Sequence, residues 1–178
     1  MSRIIIKKTK YFILLILLIS CNSHYNTKKL SVISELEQIT KENHKDLNLL
    51  EINNIESILK IAKFNLSRLE EKQLDSIAIE LIYFEYRDYL TCINIIHECV
   101  EEITNLRYML STNANQLKNM KADYKNSRFK RDDLDKYLLQ ESDIVKDASI
   151  KVRKIINVIT REKVTFNNLN KKIEEIIN

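Results

Sequence analysis

Neither glycine nor proline occurs anywhere in the 178 residues, and that double absence constrains the fold more than any motif does. Tight turns, β-bulges and sharp helix stops draw on these two residues, so a β-sandwich or a doubly wound sheet is hard to build without them. Ile, Leu, Lys, Asn and Glu dominate. Helices joined by Asn- and Ser-containing turns are the economical alternative, because Asn tolerates the left-handed conformation that Gly otherwise supplies. The expected class is all-α.

Periodicity adds detail to that class. Counting sevens from Ile82 gives Tyr89, Ile96, Ile103, Leu110, Leu117 and Tyr124, one unbroken seam on a helix. A second row, Cys92, Cys99 and Leu106, and a third, Tyr86, Ile93 and Val100, flank it as far as Leu106. Three apolar rows make a face wide enough for two neighbours. Beyond Leu110 the face narrows through STNAN (Ser111–Asn115) and cations accumulate. Asp132-Asp133 offers N-cap chemistry ahead of Leu134. Leu138, Val145, Val152, Ile159, Phe166 and Ile173 then form a new seam, with Leu134, Ala148, Ile155, Leu169 and Ile176 beside it and Glu141 and Glu162 as exceptions to that second row. The reading is an elongated helical bundle built on a long antiparallel heptad-patterned helical hairpin, turning within Ser111–Arg131. Since Tyr124, Arg131 and Leu138 keep the same phase, one continuous helix from Leu74 to Ile177, roughly 150 Å long at 1.5 Å per residue, is the competing arrangement. It would oligomerise to cover its seam.

Two shorter amphipathic helices precede the hairpin. Ile33, Leu36 and Ile39, then Leu47 and Leu50, mark the first, and Asn53-Asn54 the expected interruption; Ile55, Ile58, Leu59, Ala62, Leu66 and Leu69 mark the second, ending near Glu71–Gln73. Both are expected on the wider half of the hairpin.

The N-terminus reads as an address. Tyr11–Cys21, YFILLILLISC, follows Arg3, Lys7, Lys8 and Lys10. A positive n-region and an apolar run of roughly ten residues fit a cleaved signal, whereas a membrane-spanning helix needs about 20. Leu18, Ile19, Ser20 and Cys21 match the lipoprotein cleavage consensus, with Cys21 the lipidated residue. Residues 1–20 are therefore expected to be a signal peptide and 21–29 the lipidated Cys with a flexible tether containing His24, since Asn22–Lys29 has no core-forming face. Residues 30–178 form the helical domain. The leader holds four of the 29 Lys and Arg and no acid. Without it 25 basic residues balance 25 acidic ones, so the net charge of +4 is no argument for a nucleic-acid partner.

Reactive constellations are absent from the pattern. Without glycine there is no phosphate-binding loop of known form and no G-x-S-x-G elbow. Glu70-Glu71, Asp132-Asp133 and Glu174-Glu175 are adjacent pairs that point apart on a helix. Within Cys92, His97, Glu98, Cys99, Glu101 and Glu102, His97 and Glu101 share a face, but no i, i+4 spacing joins a Cys to the His and no H-E-x-x-H exists. Cys92 and Cys99 stand roughly 10.5 Å apart along a helix, beyond the ~7 Å a disulfide spans. They read as small buried core residues, with an intermolecular bridge or a reactive thiol as the alternatives. No enzyme, metal or cofactor is expected.

One run stands out as a binding patch: Lys118, Lys121, Lys125, Arg128, Lys130 and Arg131, with Asp123 the single acid among them and Tyr124 and Phe129 interleaved. Such a surface suits an acidic protein, a sulfated glycan or a membrane face, and a solvated helix face has the same composition. The leader, the polar tether and an Ile/Lys/Asn-rich helical body free of Pro and Gly together resemble the small outer-surface lipoproteins of Borrelia-type spirochaetes. The resemblance implies an outer-membrane, surface-exposed, lipid-anchored protein whose helical domain binds host matrix or complement proteins. It carries over no ligand-binding residue. The alternative is a periplasm-facing structural or coiled-coil envelope lipoprotein, plasmid- or prophage-encoded, that associates through its own helices.

Overall fold

The computed structural model describes residues 26–72, 76–126 and 131–178. Among these, four helices account for nearly every residue and no strand occurs: α1 (residues 26–48), α2 (Ile52–Glu71), α3 (Ser76–Asn126) and α4 (Arg131–Ile177). The chain divides into two compact units. The first contains residues 26–41 and the described part of Thr112–Val145; the second contains Glu42–Ser111 and Lys146–Asn178.

The heptad reading of α3 and α4 holds along both helices. Buried residues follow one another at alternating spacings of three and four from Tyr89 to Tyr124, and again from Leu134 to Phe166. Tyr124 Oη donates to Asp135 Oδ1 at 2.8 Å, although eleven residues of continuous helix would separate them by about 16 Å. Cys92 Sγ lies 3.4 Å from the Glu162 carbonyl, and Tyr89 Oη 2.7 Å from Asn170 Oδ1. The sequence separation grows as the contacts move away from the turn, which is the signature of an antiparallel pair. The continuous helix is excluded: α3 ends at Asn126 and α4 begins at Arg131, and residues 127–130 lie outside the described residues.

In the second unit α2 lies on the α3–α4 pair. Ile55, Ala62 and Leu69 of α2 share a core with Ile96, Ile103, Val152 and Ile159, and Tyr89 stacks on Phe166 with ring centroids 5.6 Å apart. The same helices are joined through a polar node: Asn65 Nδ2 of α2 and Tyr89 Oη of α3 both donate to Asn170 Oδ1 of α4.

In the first unit α1 takes the place that α2 has in the second. Ile33 and Leu36 pack with Leu117, Met120, Tyr124, Leu134, Leu138 and Val145. This corrects the expectation that both short helices sit on the wider half, because α1 covers the narrow one. Along α1 and the turn after it Ile33, Leu36, Thr40, Asn43, Leu47 and Leu50 follow at heptad spacing, all buried, the first three within the first unit and the last three within the second. Thr40 Oγ1 satisfies itself on the Leu36 carbonyl, and Asn43, within the second unit, donates to Ser149 Oγ at 2.8 Å.

Three further boundaries differ from expectation. Residues 26–29 belong to α1 rather than to a tether: Asn26 Nδ2 donates to the Tyr124 carbonyl at 3.1 Å, and Lys29 pairs with Asp135 at 3.0 Å. The break between α1 and α2 falls at residues 49–51 and not at Asn53-Asn54. Glu51 there adopts φ 43°, left-handed without being glycine, at a cost of about 1–2 kcal/mol. The turn keeps Leu47 and Leu50 buried while Asn54 bonds back to both the backbone and the side chain of Glu51. Finally, α4 begins at Arg131, so Asp132 and Asp133 occupy its first turn instead of capping it. Their charges still complement the helix dipole.

Candidate functional site

Of the residues singled out by sequence, Leu18, Ile19, Ser20 and Cys21 lie outside the described residues, as do His24, Arg128 and Lys130. Arg131 is placed only as the first residue of α4. Lys118, Lys121 and Lys125 occupy the last turns of α3. Lys118 and Lys125 are exposed and seven residues apart, on one face. Lys121 is engaged with Glu37 of α1, each side chain 31% exposed. It joins two helices, which leaves Lys118 and Lys125 as the solvent-facing cations among the described part of the run.

The Cys92–Glu102 group is divided by its helix. Cys92 and Cys99 are free thiols in the core of the second unit, while His97, Glu98, Glu101 and Glu102 are exposed. Burial, followed by the proximity of Glu162, pushes the Cys92 thiol up to about 12, and burial raises Cys99 as well. Thiols held protonated in this way are poor nucleophiles and poor metal ligands. Among the described residues no group of three His, Cys, Asp or Glu is arranged to hold a metal.

Two cavities open along the α3–α4 pair, one within each unit. In the second unit a cavity of about 330 Å³ has an apolar floor of Ile95, Cys99, Ile155 and Val158, with Glu98 and Glu102 on the α3 rim and Lys151 and Lys154 on the α4 rim. In the first unit a cavity of about 230 Å³ is lined by Gln116, Asn119, Met120 and Asp123 of α3 and by Leu134, Tyr137 and Glu141 of α4. Asp123 lies two residues, about 200° around the helix, from Lys121, which faces α1. The cavity is therefore on the flank that α1 leaves open.

Glu141 is the buried charge beside the smaller cavity. The residue is 8% exposed, and its Oε2 is buried without a hydrogen bond to any described residue. Burial raises its carboxyl above the usual range. Glu162, at the equivalent heptad position three repeats on, is also buried but is answered by Arg161 at 2.7 Å. Both glutamates were visible in the sequence as charges interrupting an apolar row. What the sequence lacked was any sign that only one has a partner.

Comparison with known protein families, with curated proteins and with solved structures returned no match. No described helix is long and apolar enough to cross a membrane.

Proposed function

We propose that this protein is a lipid-anchored, non-enzymatic helical protein of the bacterial envelope, surface-exposed on the outer membrane, that acts by binding a host or bacterial macromolecule. The observation that carries the reading is Leu18-Ile19-Ser20-Cys21 at the end of a short apolar run behind Arg3, Lys7, Lys8 and Lys10, an arrangement suited to signal cleavage and lipidation. The chemistry of the helical body is consistent with it, since its thiols are buried and its carboxylate pairs are dispersed. Lys118 and Lys125 supply a cationic face for an acidic protein or glycan.

The periplasm-facing coiled-coil reading draws on the same heptads. Their seams are filled within the chain by α1, α2, α3 and α4, so self-association is not needed to cover them, and this favours the binding role. The test is metabolic labelling with palmitate in cells producing the native chain and the Cys21→Ala variant, combined with protease treatment of intact cells. The expected result is label lost in the variant and a native body digested at the surface. Label unchanged by the substitution refutes the anchor. A body protected while a surface control is shaved refutes exposure.

A further inference from the structure

We propose that the groove between α3 and α4 in the second unit is the docking site of a second copy of this chain. The two molecules are related by a two-fold axis running along the groove, so that α3 of each lies on α4 of the other. The inference does not depend on the envelope reading and would stand if that failed. It is also distinct from a coiled coil formed through the seams, because those stay filled within each chain.

Its basis is a set of charges that the fold leaves unanswered. Residues of α3 and α4 alone line the groove, whose volume is about 330 Å³. Glu98 and Glu102 on one rim and Lys151 and Lys154 on the other are exposed, and none of the four forms an ion pair with a described residue. Between the rims Ile95 and Val158 are half-buried and continue the core to the surface. Charges flanking an open apolar strip are what one side of a helix–helix contact consists of.

The pattern of charge selects the occupant. The Cys92 contact with the Glu162 carbonyl fixes the antiparallel pair so that Glu98 stands level with Lys154 and Glu102 with Lys151, within about two residues or roughly 3 Å of rise. A groove acidic along one rim and basic along the other is complementary to itself. Rotation about an axis along the groove keeps each residue at its level and exchanges the rims. Glu98 then meets the partner's Lys154 and Glu102 meets the partner's Lys151, each pair occurring twice, as in any isologous contact. An axis across the groove would lay α3 on α3 and set glutamates against glutamates. From Asp88 to Ser111, within the second unit, α3 runs about 35 Å, and two helices side by side are about 20 Å wide. That is roughly 700 Å² a copy, close to the ~800 Å² each partner contributes to a stable complex.

The full chain, in non-ionic detergent with micelles in excess over protein, is examined by sedimentation equilibrium from micromolar to hundreds of micromolar concentration, at low and at high salt. The expected result is a monomer–dimer equilibrium that weakens as salt screens the rim charges. Glu98→Lys with Glu102→Lys makes both rims basic, and Lys151→Glu with Lys154→Glu makes both acidic. Each double variant should dimerise about tenfold or more weakly than the native chain. An equimolar mixture of the two should pair as well as the native chain does, and so should one chain carrying all four substitutions. A native chain that stays monomeric at every concentration overturns the proposal and leaves the groove to a different protein. A dimer unchanged in both double variants, or a mixture no tighter than either variant alone, overturns it equally. Because the unsubstituted chain gives the first readout, the test survives even a variant that fails to fold.

Discussion

Replacing Asn170 with leucine should destabilise the second unit more than any other single change at its polar node. Asn170 Oδ1 accepts from Asn65 Nδ2 at 2.9 Å and from Tyr89 Oη at 2.7 Å, and its own Nδ2 donates to Glu174 at 2.8 Å. Asn65 is 3% exposed and Tyr89 fully buried, so Asn170→Leu strands two buried donors at once. Each costs about 1–3 kcal/mol, and the half-buried leucine returns about 1 kcal/mol through apolar burial. The net loss is about 1–5 kcal/mol. Tyr89→Phe removes a single donor and leaves Oδ1 still bonded to Asn65, so about 0.5–1.5 kcal/mol is expected. In the double variant phenylalanine strands nothing, and the two losses should fall short of additive by about 1 kcal/mol. Urea unfolding followed by far-UV circular dichroism and by tyrosine fluorescence, the chain having no tryptophan, measures all three corners. Equal losses in the two single variants, or an additive double variant, would refute the shared-acceptor account.

Other expectations follow from groups on the same seams. Burial raises the Glu141 carboxyl in the folded state, so the native protein binds more protons than the unfolded chain between the two pKa values. Its contribution is a destabilisation absent below the unfolded pKa and complete above the folded one; Glu141→Gln should flatten the loss of stability as pH rises through that window, and an unchanged urea-midpoint profile would contradict this. Cys92 and Cys99, buried and held protonated, should resist an aromatic disulfide reagent at pH 8 in the folded protein and react only on unfolding. Rapid modification of either one in the native state would show the thiols are not where the packing puts them. Ile103→Ala, at a fully buried seam position, should cost about 2–5 kcal/mol, whereas Lys121→Met, breaking a partly exposed ion pair with Glu37, should cost less than about 1 kcal/mol. A larger loss at Lys121 than at Ile103 would reverse the ranking.

The helical class and the hairpin were legible because apolar identity alone encodes them. Ile96, Ile103 and Leu110 repeat at sevens and are buried at sevens. What the apolar pattern cannot register is a polar residue in a seam. Thr40 and Asn43 hid the heptad of α1, and with it the fact that α1 closes the narrow half of the hairpin; Asn113 and Met120 likewise continue the row that seemed to stop at Leu106. The turn at Glu51 was misplaced for a related reason. Asn53 and Asn54 look like a break, yet they tolerate the first helical turn, and the left-handed residue is a glutamate that propensity would not select. The basic run was legible as charge. That Lys121 is spent on Glu37 depends on α1 lying alongside, which no local pattern states.

The polar seam residues divide in a way that bears on function. Asn65 and Asn170 bond across two helices, as do Asn43 and Ser149, while Thr40 turns back on its own helix and Glu162 is met by Arg161. The pairs that cross between helices, Asn65 with Asn170 and Asn43 with Ser149, penalise any register in which they do not meet, so they select one alignment from the several that a repeating apolar seam permits. The seam atoms left unanswered, Asn113 Nδ2 and Glu141 Oε2, both lie in the first unit and cannot serve register in this way, since they meet nothing. An apolar residue at 141 would pack the same seam without stranding a carboxylate, so stability offers no reason for glutamate there.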